Sequence, residues 1–170
     1  MDMAELCRQQ TNLTVKQIGL LERMKIVFPF LADLVHGQLK VYVPSRKTGS
    51  FVIIAQERPR TIYMSKRESD YGKFQPAIEE PLVQDTMMTG LPGKGKREWT
   101  YGSLIDMYTY AIRDGNQVIG VVSFEVDGDR LQIDGYPCIL ATAVDVLGRF
   151  FLRKRYSSYT DTDPSLTEPD

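Results

Sequence analysis

At 170 residues, with 42% hydrophobic, 25% charged and 10% aromatic side chains, the chain is one domain in length and in the ordinary globular range, which excludes a fibrous or wholly disordered protein. Twenty-one basic against 22 acidic residues leave a formal charge of -1, too balanced for a general binder of nucleic acid or anionic membrane. Two isolated cysteines, Cys7 and Cys138, and a single histidine, His36, exclude a zinc ribbon and a disulfide framework and fit a reducing compartment.

No run approaches the ~20 apolar residues of a membrane span, and the N-terminus lacks the charged and apolar regions of a signal peptide. The expected address is therefore cytoplasmic, without membrane insertion. Residues 1–13 read as a short mixed segment. Thr14, with Gln17 three positions on, is a capping box that opens an amphipathic helix over 14–35, whose apolar positions Leu20, Met24, Val27, Leu31 and Leu34 follow helical spacing. Pro29 lacks a backbone donor and predicts a kink or break near Phe28. Gly37 is placed to end the segment.

Residues 39–43 and 51–55 read as the two strands of a hairpin, and residues 61–64 as another short strand. Residues 65–76 are polar and loop-like, and residues 78–89 read as a second helix with Leu82, Val83 and Met87 apolar and Gly90 at its end. Residues 91–97 read as a mobile connector because Pro92, Gly93 and Gly95 stand among lysines. Residues 105–113 and 117–125 flank Asp114, Gly115 and Asn116, the strongest hairpin signal in the chain. Along the first of these strands Tyr108, Tyr110 and Ile112 alternate with Met107, Thr109 and Ala111, so each face is expected to meet a different layer. A last helix over 136–153 carries two apolar stripes, one through Ile139, Ala143, Val146 and Phe150, the other through Leu140, Val144, Leu147 and Phe151. The organisation expected is one folded domain over 1–153 and an acidic flexible tail over 154–170. Hairpins in place of parallel crossovers predict an antiparallel sheet with helices on its faces, an α+β architecture.

The chemistry legible in these residues is sparse. GLPGKGK at 90–96 resembles a phosphate loop, but no serine or threonine follows the lysine and no strand precedes it. Glu79 and Glu80 are neighbours about 100° apart on a helix, poor geometry for an acid and base pair, and read as a solvated face. His36, at a helix end, reads as a local hydrogen-bonding residue. Cys7 beside Arg8 is a redox sensor only if exposed, and Cys138 in an apolar helix reads as core. Phe51, Tyr63, Phe74, Trp99, Tyr101, Tyr108 and Tyr110 are the candidates to line a ligand cavity, with plain core packing as the competing reading. Lys94, Lys96 and Arg97 are placed to meet an anion at the mouth of such a cavity or simply to solvate the surface. No catalytic residue, metal ligand or cofactor is predicted.

Taken together, ADLVHGQLKVYVP, FVIIAQERPRT, GKFQPAIEEPLVQDTMMTG and AIRDGNQVIGVVSFE, in that order, resemble the N-terminal sensor domain of a family of cytoplasmic bacterial two-component histidine kinases, within the GAF superfamily. The resemblance implies a GAF-like antiparallel sheet of about six strands, with N- and C-terminal helices on one face and a short helix plus loops on the other. It also implies PAS and kinase modules downstream in cis and a response regulator as partner. The chain itself carries no transmitter and is not expected to autophosphorylate. The function expected is a signal-input domain that binds an unidentified small molecule or senses cellular state. It would relay the result through the last helix, with Leu140, Val144, Leu147 and Phe151 meeting a second copy in a homodimer. The alternative is a ligand-free GAF-type dimerisation scaffold. A thiol-based reductase, an activity of some GAF domains, would need cysteines beside the pocket.

Overall fold

The computed structural model describes residues 1–60, 68–100 and 103–126. The helix expected over 136–153, with Leu140, Val144, Leu147 and Phe151, lies outside the described residues, as do the tail, the short strand at 61–64 with Tyr63, and Tyr101 and Cys138.

The capping box forms as the sequence dictates: the Thr14 hydroxyl accepts from the Gln17 N–H and the Gln17 side chain accepts from the Thr14 N–H. It opens helix α2 (Val15–Lys25), and the break at Pro29 is real, because a separate helix α3 (Phe28–Leu34) starts with that proline in its first turn. Two local expectations need correction. The first ten residues contain a helix, α1 (Met3–Gln10), capped by the Asp2 carboxylate on the Glu5 N–H. The positive φ after α3 falls on His36, at 49°, not on Gly37. Gly37 is needed because a Cβ there would stand 2.7 Å from the Glu125 carbonyl oxygen.

Six strands form one antiparallel sheet in the order β3-β2-β1-β6-β5-β4. They are β1 (Gln38–Pro44), β2 (Ser50–Glu57), β3 (Phe74–Pro76), β4 (Gly93–Thr100), β5 (Ser103–Asp114) and β6 (Gln117–Val126). Asp114 pairs with Gln117, so the β5–β6 turn has two central residues, and Gly115 takes the positive φ of 63° that such a turn requires. After β3 a single 3₁₀ turn, Ala77–Glu79, leads into helix α4 (Pro81–Thr89). The second helix therefore starts at Pro81 and not at residue 78.

The period of two along each strand divides the interior into two layers. Leu39, Val41, Val43, Tyr108, Tyr110, Ile112, Val122 and Phe124 face α1, α2 and α3 and form the larger core. Tyr42, Phe51, Ile53, Met107 and Val121 face the opposite way, where Val83 and Leu82 of α4 cover them. The alternation read from β5 is thus the partition of the whole domain. α4 is seated by a buried hydrogen bond of 2.7 Å between the Thr86 and Thr109 hydroxyls.

The segment read as a mobile connector is an edge strand. Gly93 to Glu98 of β4 pair residue by residue with Thr109 to Leu104 of β5. Glycine is required at 93 by packing, since a Cβ there would collide with the Thr109 hydroxyl and stand 2.8 Å from a Leu82 methyl. The lysines between the glycines leave the outer edge unattractive to further strands.

Candidate functional site

The α4-facing side of the sheet changes character along its length. Near α4 it is apolar; toward the start of β1 and the end of β6 it is charged. Gln38 and Lys40 of β1 stand opposite Glu125 and Ser123 of β6, and all four are buried. These strands are apolar on their other side, so their polar side chains cannot reach water by a small rotation and must find partners within the fold.

Glu125 is the hub. One carboxylate oxygen accepts from Gln38 Nε2 at 2.8 Å, while the other lies 3.4 Å from Lys40 Nζ and 3.2 Å from Arg97 Nη1. Arg97, on β4, reaches across to make a two-pronged pair with Glu80, at 2.7 and 3.1 Å. Glu80 precedes α4 without capping it, and its side chain is 3% exposed. It is therefore not part of a solvated face; Glu79 beside it is exposed. At the other end, Lys40 Nζ lies 3.0 Å from Asp70 Oδ2, and Asp70 Oδ1 lies 3.0 Å from Lys73. The result is a ladder, Glu80–Arg97–Glu125–Lys40–Asp70–Lys73, in which three carboxylates alternate with three cations. It joins α4, β4, β6, β1 and the segment before β3.

Burial and partners act against each other along the ladder. Burial alone would lower the pKa of Arg97, but the carboxylates of Glu80 and Glu125 reverse this and hold it firmly charged. Burial raises the pKa of Glu80 in spite of Arg97, so it protonates more readily on acidification than a solvated glutamate. For Asp70 the balance is opposite: burial raises its pKa, but Lys40 and Lys73 outweigh this and hold it below the usual value. The Tyr42 phenol is driven above its usual range by burial and by Glu80 and Glu125, with Arg97 opposing.

A cleft of about 250 Å³ opens over the Lys40 end of the ladder. It is lined by Gln38 and Lys40 of β1, Gln56 of β2, and Arg58, Glu68, Asp70 and Lys73. Gln38 Oε1 accepts from Gln56 Nε2 at 3.0 Å and from Arg58 Nε at 3.2 Å. Gln56 Oε1 accepts the Asp70 N–H at 2.6 Å, fixing the segment that carries Asp70. On this same face the fully buried Ser123 hydroxyl makes no hydrogen bond to any described residue, and the Tyr42 hydroxyl is buried beside Arg97.

The aromatic candidates are divided between the two faces of the sheet. Phe51 is buried beneath α4, edge-on to Tyr42 with ring centroids 6.4 Å apart. Tyr108 and Tyr110 lie in the opposite core under α1 to α3, Tyr110 edge-on to Phe124. Phe74 stands on the edge strand β3, 44% exposed, and Trp99 lies on β4. Of the basic run, Lys94 sits 5.4 Å from the Tyr108 ring centroid and Arg97 turns to the ladder. Cys7 is fully buried in the α1 core, where burial and Glu22 push its thiol up to about 11. It lacks the exposed, thiolate-favouring setting of a redox sensor. Sequence reasoning singles out Arg97 as a possible anion contact and Glu80 as solvated, and it misses Lys40, Asp70, Lys73 and Glu125, although Gln38 and Lys40 alternating with Leu39, Val41 and Val43 are a usable sign. Among the described residues, no group of His, Cys, Asp and Glu forms a metal site, and no helix is long and apolar enough to cross a membrane.

Comparison with known proteins adds to this geometry. Residues 3–132 match the family described as "Histidine kinase PdtaS, GAF domain". No curated protein matches the chain. Among solved structures, a sensor region of a sensor histidine kinase superposes with a TM-score of 0.67 at 19% identity, covering 96% of this chain and 56% of that one. The second GAF domain of DevS from Mycobacterium smegmatis gives 0.53 at 13% identity, over 78% of this chain and 96% of that domain. NpR6012g4, a red/green cyanobacteriochrome in its red light-absorbing state, gives 0.53 at 14% identity, over 81% and 97%. These likenesses establish the GAF fold, and the chain spans little more than half of the kinase sensor region.

Proposed function

The chain belongs to the PdtaS histidine kinase GAF-domain family, and from that premise we propose that it is the signal-input domain of a cytoplasmic two-component kinase that binds a small polar molecule in the cleft over Lys40. Ligand occupancy is relayed through residues 136–153 to PAS and kinase modules in cis, in a homodimer, and so to a response regulator. The parent protein is then an ATP-dependent protein histidine kinase, with this chain supplying no catalytic group.

One observation carries the ligand reading: a buried ladder of ion pairs reaches an open polar cleft through Lys40 and Asp70, which line it. A domain needing only to pack and dimerise gains nothing from burying these charges, because well-packed apolar residues of similar volume are commonly as stable or more so. The ladder also gives a route for relay. It ties the cleft segment to α4 and the edge strand β4 through side chains alone, so a change in who neutralises Lys40 alters the partners of Glu125 and Arg97 in turn.

Native mass spectrometry of freshly purified chain tests the reading, since it reports bound small molecules and subunit number together. A dimer retaining a polar molecule, lost on Lys40→Met, is expected. A ligand-free chain that also shows no thermal shift across a panel of polar metabolites and nucleotides contradicts it.

A further inference from the structure

We infer that the cleft takes a small carboxylate anion, which binds by replacing Asp70 on Lys40. The inference deepens the ligand reading above and rests on it only for the location of the site.

Lys40 is the one cation of the ladder that both lies deeply buried, at 7% side-chain exposure, and lines the cleft. It has carboxylates on two sides. Glu125 is held from behind by Gln38 and Arg97 as well and does not line the cleft. Asp70 does line it, is 26% exposed, and belongs to a segment outside the strands. Asp70 therefore occupies, from within the chain, the position an incoming anion would take.

The chemistry of the exchange selects the class of ligand. A buried ammonium cannot lose half its neutralising charge cheaply. A neutral molecule that displaced Asp70 would leave Lys40 with Glu125 alone, and a cation would meet Lys40, Arg58 and Lys73 together. A carboxylate conserves the charge count when it replaces a carboxylate, and Asp70 keeps Lys73 as partner when it moves aside. Arg58, with its Nε on Gln38 and its Nη2 on the Glu68 carbonyl, adds a second positive charge to the cleft lining, which favours an anion there. The Ser123 hydroxyl, opposite Lys40 in the β1–β6 pairing, is buried on the same face without a hydrogen bond to a described residue.

The test is calorimetric titration of the full chain with succinate, inorganic phosphate and the neutral isostere succinamide, at matched ionic strength. Saturable binding of succinate without binding of succinamide is expected. Asp70→Asn, which removes the internal competitor, should tighten succinate about fivefold, the scale of one partly exposed ion pair. Lys40→Met should weaken it about tenfold or more. If that variant does not fold, Asp70→Asn together with Lys73→Gln decides the matter, because the latter frees Asp70 to compete and should weaken binding. Equal binding of succinamide, preference for phosphate over succinate, or weaker binding by Asp70→Asn overturns the inference. If native mass spectrometry finds a non-anionic molecule in the cleft while succinate does not bind, this inference fails and the ligand-sensor reading stands. If nothing binds by either method, both fail.

Discussion

Neutralising the hub of the ladder should expose how strongly its members depend on one another. Glu125→Gln preserves shape and keeps an acceptor for Gln38 or Arg97, but it leaves Lys40 with Asp70 alone and Arg97 with Glu80 alone. Removing one partner of a buried pair costs about 3–5 kcal/mol. Because both cations keep one carboxylate, the loss should fall near the lower end, about 3 kcal/mol. Lys40→Met is milder, about 2 kcal/mol, since Glu125 retains Arg97 at 3.2 Å and Gln38 at 2.8 Å, and methionine replaces the buried stem. The double variant should lose little more than Glu125→Gln by itself, giving a coupling of about 2 kcal/mol. Urea unfolding followed by circular dichroism measures all four corners of the cycle, and in thermal scans Glu125→Gln should melt about 6–12 °C lower. Strictly additive single losses, or a Glu125→Gln protein within about 0.5 kcal/mol of the parent, would refute the claim that these charges form one buried unit.

Three further outcomes follow from other parts of the molecule. The pKa of Asp70 lies below its usual 3.8 in the folded chain, so its pairs contribute fully above that value and are lost as the pH falls through the lower, folded value. The stability difference between the parent and Asp70→Asn should therefore be constant near neutrality and shrink below about pH 4, as denaturant titrations at a series of pH values would reveal. Gly93→Val should destabilise by about 1–3 kcal/mol through collision with Thr109 and Leu82, with faster hydrogen exchange of α4 amides; Gly95→Ala, on the same strand at a position where a Cβ meets Leu82 only at 3.4 Å, is the control and should cost far less. If residues 136–153 carry the dimer contact, Leu147→Asp should raise the dimer dissociation constant by at least about tenfold in light scattering, while leaving the unfolding midpoint of the monomer nearly unchanged.

Features that depend on neighbours in sequence were legible, and those that depend on neighbours in space were less so. The capping box of Thr14 and Gln17, the break at Pro29, the glycine turn at 115 and the alternation of Tyr108, Met107 and their successors are each decided within a few residues, and the structure keeps all of them. β4 was missed because a glycine and lysine run has no strand propensity of its own; it extends only because β5 offers a partner and Leu82 needs room over Gly93. Glu80 looked solvated beside Glu79, and its burial follows from Arg97, 17 residues on, which the sheet brings beneath it. The site had one local signature, Gln38 and Lys40 set between apolar residues in a strand buried on both faces. Recognising it required knowing that β1 lies in the middle of the sheet, between β2 and β6.

The most direct measurement is a map of backbone amide shifts in nitrogen-15-labelled chain as succinate is added. The largest changes should fall on Gln38, Lys40, Gln56 and Asp70 and continue to Glu125, Arg97 and Glu80, with all of them absent in Lys40→Met. Shifts confined to α1, α2 and α3, or spread evenly over surface lysines and unchanged in Lys40→Met, would contradict a sensing site built on the charged ladder.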